Sequence, residues 1–280
     1  MLSHHKEVLE LSYFIMQILP YITLVVFTFG VLFRLGRWAG SRIVHNITLA
    51  PFPQRNSQVL GIFAAEAIFF RSLFSSDRAL WVGAWFMHIA LFSVIGGHLT
   101  GIYFLGKQFI YIGMSPELSK EMSALLGTSM GLIMFAGLVY LLFRRFTIAK
   151  VKEVTGASDY LMLILLLTIV TIGNIMRIFE HQFGLDYAPA KDFVAHLIML
   201  QPLPLDHLAI TTPFFVLHIF FVQILLMVFP FSKLMHVFGM FANRWIINRV
   251  YRDPAPGLPN VDIAAARQAG IGVPSGEGGV

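Results

Sequence analysis

The sequence predicts an all-α polytopic membrane protein, a bundle of five transmembrane helices. Of its 280 residues 57% are hydrophobic and 12% charged, with a mean hydropathy of +0.74; too little polar surface remains to cover a soluble domain. Five apolar runs are each long enough to cross a bilayer. The basic residues gather on alternate connections, so the net charge of +5 reads as a topology signal, with no nucleic-acid partner implied. The absence of cysteine excludes disulfides, Cys-ligated iron–sulfur clusters and covalently attached c-type haem from this chain.

Met1 to Glu10 is polar and forms an outer N-terminus; the first apolar run extends from Leu11 to about Phe33, with a bend expected at Pro20. The connection from Arg34 to Arg78 is the most basic, and within it residues 58–74 place Leu60, Phe63, Ala67, Phe70 and Phe74 at mixed spacings of three and four. That pattern predicts an amphipathic helix at the membrane interface or on a partner; the alternative is a sixth, short span containing Glu66 and Arg71. The second helix is expected at Ala79 to Leu105, the third at about Met122 to Phe143 and the fourth at about Tyr160 to Phe179. Glu180 to His207 reads as a proline-bearing loop. The fifth helix begins near Ala209 and ends after His236, so the five-helix domain covers 11–248 and leaves 249–280 as a tail. Fifteen basic residues on one side against five on the other predict a cytoplasmic-membrane protein with its N-terminus outside and its C-terminus in the cytoplasm.

Two of the spans carry histidine pairs, His88 and His98 at a spacing of ten and His218 and His236 at a spacing of eighteen. Imidazoles in hydrocarbon are costly and usually point at a bundle interior, a water path or a metal. On antiparallel spans His98 falls level with His218 and His88 with His236, so each pair can clamp one iron of two b-type haems. Ten residues rise about 15 Å and eighteen about 27 Å, leaving an offset that tilt and a kink at Pro230 must absorb. Gly83, Gly96, Gly97 and Gly101 are candidates to let a flat macrocycle approach the backbone. His4, His5, His45, His181, His196 and His207 fall outside the spans and read as solvated or structural. A proton-coupled membrane transporter is the rival class for the same four buried histidines.

On these histidine spacings, on Phe229-Pro230-Phe231-Ser232-Lys233-Leu234, on Arg144-Arg145 and on Thr155-Gly156-Ala157, the chain resembles the NarI-like family. This family comprises the gamma subunit of respiratory nitrate reductase and related di-haem b cytochromes. The resemblance covers nearly all of Leu11 to Asn248. It implies a quinol-oxidising membrane anchor with two haem b, passing electrons from an outer haem to an inner one and on to a cytoplasmic iron–sulfur subunit. The long first connection and Gly173-Asn174-Ile175-Met176-Arg177 look more like DsrM, the cytochrome b of the DsrMKJOP complex associated with dissimilatory sulfite reductase. That likeness implies an iron–sulfur partner similar to DsrK and heterodisulfide reductase, further subunits, and a role in sulfur metabolism. A nitrate-reductase-like or other respiratory complex remains the alternative.

Quinone oxidation and reduction need a redox neighbour, a proton acceptor and an apolar slot open to lipid. The candidates are His98, Lys120, Asn174 and Arg177, with menaquinone or another quinone as substrate. Lys120 is chosen by resemblance, and a shift of one residue would put Ser119 there. Asn174 and Arg177 share a helix face. Arg177 reads either as a grip on a quinone carbonyl or haem propionate, or as a cation that snorkels or pairs with Glu180. Arg144 and Arg145 are further propionate candidates, with topology setting as the alternative.

Overall fold

In the computed structural model, residues 2–40 and 55–247 are described. They form helices and connecting turns, and five of the helices are long and apolar enough to span a membrane: His5–Ala39, Arg78–Phe104, Pro116–Thr147, Ala157–Ile178 and Pro213–Phe231. The tail expected at 249–280 lies outside the described residues, as does His45. Two compact units divide the chain, one of Met1–Leu35 with Leu73–Met235, the other of Gly36–Ser72 with His236–Val280.

In the first unit the second span packs on the third, the third on the fourth, the fourth on the fifth and the fifth on the first. The second and fifth spans are not packed directly on each other as these neighbours are. Met87 and Ala90 interlock with Met134, Leu138 and Val170 between the second, third and fourth spans. Gly137 permits that contact, since a Cβ there would lie 2.7 Å from the Cβ of Met87. A second core joins Met16, Phe193, Leu203, Ile210 and Val216. Large apolar side chains such as Leu24, Phe29, Phe92, Leu99 and Phe143 point outward, where lipid replaces water as the solvent.

Several boundaries differ from the sequence expectation, each for a local reason. The first helix already begins at Leu2, and Pro20 is accommodated by a π-helical turn at Phe14–Ile18 before the helix continues over Leu19–Ala39. In that turn Leu19 N–H bonds the Phe14 carbonyl, five residues back. The next bond of the series would come from Pro20, which has no N–H, so the Ile15 carbonyl loses its donor. Gln223 of the fifth span supplies one, its Nε2 lying 2.9 Å from that oxygen. The region read as a proline-bearing loop contains a helix, Tyr187–Ile198, capped by Asp186; Pro189 sits in its first turn, where a missing N–H costs nothing.

The fifth helix does not run through His236. Its α-helical part is Pro213–Val228. A 3₁₀ turn at Phe229–Phe231 ends in extended Ser232, and a new helix starts at His236 and runs to Ile247. The Ser232 hydroxyl accepts from the Leu234 N–H at 3.1 Å and donates to the Phe229 carbonyl, which fixes the break. Gly30 makes room for it, because a Cβ there would lie 2.8 Å from the Pro230 ring.

In the second unit the stretch expected as one amphipathic helix is two, Asn56–Phe69 and Arg71–Ser76, the latter ending outside the unit. Phe70 separates them at a φ of 49°. Glu66, read from sequence as an interruption, accepts from the Ser72 N–H at 3.0 Å and from its hydroxyl, holding the bend. Asn56–Phe69 is not among the helices long and apolar enough to span, so the sixth-span alternative is not favoured.

Candidate functional site

His88 and His98 stand on the unbroken second span, Arg78–Phe104. Each ring is anchored on the carbonyl one turn earlier: His88 Nδ1 lies 2.8 Å from the Ala84 oxygen, and His98 Nδ1 lies 2.6 Å from the Val94 oxygen. Such a bond selects the tautomer that leaves Nε2 with its lone pair outward, the form in which a histidine ligates a metal. Asp77 caps the start of the span by accepting from Leu80 N–H at 2.9 Å.

His218, on the fifth span, faces His98. Their rings are parallel to within 4° with centroids 6.4 Å apart. That is too far for ring-on-ring contact. Two imidazoles bound on opposite sides of one metal, each through a ring nitrogen at about 2 Å, place their centroids roughly 6 Å apart. The donor set therefore fits a haem iron, in both spacing and chemistry. Among the described residues no group of three or more His, Cys, Asp or Glu side chains is arranged to hold a metal ion, so the fit is to a two-histidine axial pair. The Nδ1 of His218, unlike those of His88 and His98, is buried without a well-formed hydrogen bond. His236 opens the helix of the second unit, so its pairing with His88 is taken up below as a proposal.

The glycines near the histidines divide by role. A Cβ on Gly96 or Gly97 would meet nothing within 4 Å, so the second span presents a bare face beside His98. Gly83 serves packing instead, since a Cβ there would strike the Tyr140 ring at 2.2 Å. Gly101 likewise lies against Tyr187, 3.3 Å from its Cε1.

The quinone candidates gather around a residue that the sequence reading passed over. Arg177 donates to the Tyr187 hydroxyl at 3.2 Å and lies over its ring, 5.7 Å from the centroid, rather than pairing with Glu180. The same ring backs onto Gly101 and onto Gly106, whose φ is +76° and which the Lys120 stem also borders. Tyr187 thus joins Arg177 to the Lys120 stem across Gly106, and its ring meets the second span at Gly101, about one helical turn beyond His98. Its signal was present as an Asp cap with a proline three residues on, the mark of a helix start rather than of a loop. Asn174 instead bridges the third and fourth spans, donating to the Gly131 carbonyl at 3.1 Å. Ser119 is structural, fully buried, donating to the Gly106 carbonyl at 2.8 Å and accepting from Phe109 N–H.

The arginines proposed for propionates have protein partners. Arg144 forms an ion pair with Asp77. Arg145 donates to Thr155 at 3.0 Å and lies 3.8 Å from Asp159. Asp159, with 5% of its side chain exposed, also accepts from Lys233 at 2.8 Å. The Arg-Arg, Thr-Gly-Ala and Phe-Pro-Phe-Ser-Lys-Leu motifs are therefore one polar assembly at this end of the bundle. Away from the spans, His207 bonds Asp192 at 2.6 Å and caps Ala209, and is structural.

Comparison with known proteins agrees with this arrangement. A cytochrome b-like subunit of an Hdr-like menaquinol oxidoreductase from Archaeoglobus fulgidus is 29% identical over 261 residues, covering 80% of this chain and 76% of the relative. Its counterpart from Archaeoglobus profundus is 26% identical, covering 93% and 87%. The nitrate reductase gamma chain of Bacillus subtilis is 26% identical over 165 residues, covering 58% and 74%. The family model of the nitrate reductase gamma subunit matches residues 70–251, and the chain belongs to that family.

Proposed function

We propose that this protein is a di-haem cytochrome b that exchanges electrons between a membrane quinone, menaquinone by likeness to the Archaeoglobus relatives, and a cytoplasmic iron–sulfur subunit. The observation that carries the reading is the parallel pair His98 and His218, with ring centroids 6.4 Å apart across the second and fifth spans. In this reading His98 and His218 hold one haem b, and His88 and His236 hold the second toward the cytoplasmic side. Bound haem supplies a one-electron carrier at each level.

The chain's own groups orient and insulate. The Val94 and Ala84 carbonyls fix His98 and His88 in the tautomer whose Nε2 carries the lone pair. Arg177 offers a permanent cation beside the outer pair, held by Tyr187, where a quinone oxygen or a propionate would accept from it. Lys120 at the rim is placed to exchange protons with the outer aqueous phase. Basic-residue counts orient the N-terminus outward, and the partner is a subunit similar to DsrK and heterodisulfide reductase. The link to dissimilatory sulfur metabolism follows from the resemblance of the first connection and of residues 173–177.

A reduced-minus-oxidised absorption spectrum of the purified protein tests this directly. Two b-type components are expected; His98→Ala and His218→Ala remove the same one, and His88→Ala and His236→Ala the other. A spectrum without b-haem bands ends the cytochrome reading, and loss of the same component in His98→Ala and His236→Ala refutes the pairing.

A further inference from the structure

Three histidines of this bundle sit well inside spans, and two of them have their ring orientation set by a hydrogen bond to the carbonyl one turn earlier. His218 has no such bond to its own helix, and its Nδ1 is buried without a well-formed hydrogen bond, the backbone of Ile169 on the fourth span lying within reach of it. Something other than its own helix must therefore hold this ring parallel to His98. What it rests on is Gly173. A Cβ built there would lie 3.3 Å from His218 Cε1 and 3.7 Å from its Nδ1. The fourth span thus offers bare backbone to the flat ring at this one level, one turn beyond Ile169.

We infer that Gly173 is a positioning residue for His218, a seat whose lack of a side chain sets the rotation and depth at which that imidazole meets the group shared with His98. The inference rests on the proposed ligation by His98 and His218. A methyl at 173 must push the ring by a few tenths of an ångström, and a ring tied on its other side to a metal cannot follow freely. With the methyl on one side and the group shared with His98 on the other, the strain falls on the bond to the metal. His98, anchored on Val94, stays in place, which makes His218 the ligand that yields.

Gly173→Ala in the full-length protein tests the seat. The expected result is about tenfold weaker retention of one haem, the size typical of disturbed ligand support, read as haem transfer to an excess of a haem-scavenging apoglobin. The same component gains carbon monoxide binding, because a displaced ligand opens a coordination position, while the second component keeps its bands and serves as the folding control. Gly173→Val enlarges both effects. Retention and carbon monoxide behaviour equal to the unsubstituted protein would overturn the inference, provided His218→Ala removes one component. Loss of both components together in Gly173→Ala also overturns it, since a general packing role is then enough. If His218→Ala leaves both components intact, the ligation itself is wrong, and that outcome is distinct from a failure of the seat.

Discussion

The two ends of the bundle place their histidines by different means. At the His98 end both residues ride within unbroken helices, Arg78–Phe104 and Pro213–Val228, and helical register brings them level. The polar groups toward that end include hydroxyls, an amide, a phenol and two cations, Arg177 and Lys120, none of which pins a break in the helix. At the other end His236 follows a break, and the residues leading to it are held by charge, Lys233 on Asp159 with Arg145 alongside. A histidine inside a helix is located by counting residues. One that follows a break is located by whatever pins the break.

The most severe way to test that difference is to abolish the break. Pro230→Ala combined with Ser232→Ala removes the ring that ends the helix and the hydroxyl that accepts from Leu234. The expected outcome is complete loss of the component that the proposed pairing gives to His236, with the one it gives to His98 and His218 unchanged in the absorption spectrum. Equal loss of both would show that the two ends are not independent.

Loosening the pin is milder and has a direction. In Lys233→Met the buried Asp159 keeps only Arg145 at 3.8 Å and the Gly156 N–H at 3.0 Å, costing on the order of 1–3 kcal/mol. In Asp159→Asn the charge left behind is on Lys233, whose side chain is 75% exposed and screened by water, so the cost is smaller. Thermal unfolding in detergent should rank Lys233→Met below Asp159→Asn; the reverse order would show that the lysine, not the carboxylate, is the group whose burial matters.

The same contrast explains what could be read from the sequence. Hydrophobic length gave all five spans, and residue spacing gave the level of His98 with His218, because both quantities survive as long as the helix is regular. A proline in an apolar run reads as a kink, so the sequence predicts one helix through His236; the Ser232 bonds and the Gly30 notch beside the Pro230 ring turn that kink into an end. Tyr187 was missed for a related reason, prolines having been read as loop formers where one of them opens a helix. Arg144 and Arg145 read from sequence as propionate candidates or topology-setting charges, and their partners Asp77 and Asp159 stay hidden because pairing across elements leaves no periodic trace.

Gln223 offers a finer probe of the regular end. Gln223→Leu keeps the volume but leaves the Ile15 carbonyl without the donor that Pro20 cannot supply. Hydrogen bonds between membrane helices are worth about 1 kcal/mol. A loss of stability of that size is expected with both haem components retained. A neutral effect would mean that the π-turn finds another donor.

The smallest effect expected is also the one with a pH signature. Asp77 begins the second span, and its carboxyl is held below the ordinary 3.8, first by the Leu80 N–H and then by Arg144. A lowered pKa in the folded state means that the ionised form is favoured by folding. That stabilisation is fully present above the ordinary value and is lost as the pH falls through the lowered one. Asp77→Asn retains a competent helix cap, because asparagine and aspartate are near equals at that position. The difference between the two proteins therefore isolates the charge facing Arg144. Thermal unfolding should show the unsubstituted protein more stable at pH 7, with the gap closing as the pH falls below the ordinary value and through the lowered one. A gap that stays constant across that range would assign the role of Asp77 to its shape, and would make this end of the bundle resemble the other, held by neutral hydrogen bonds rather than by charge.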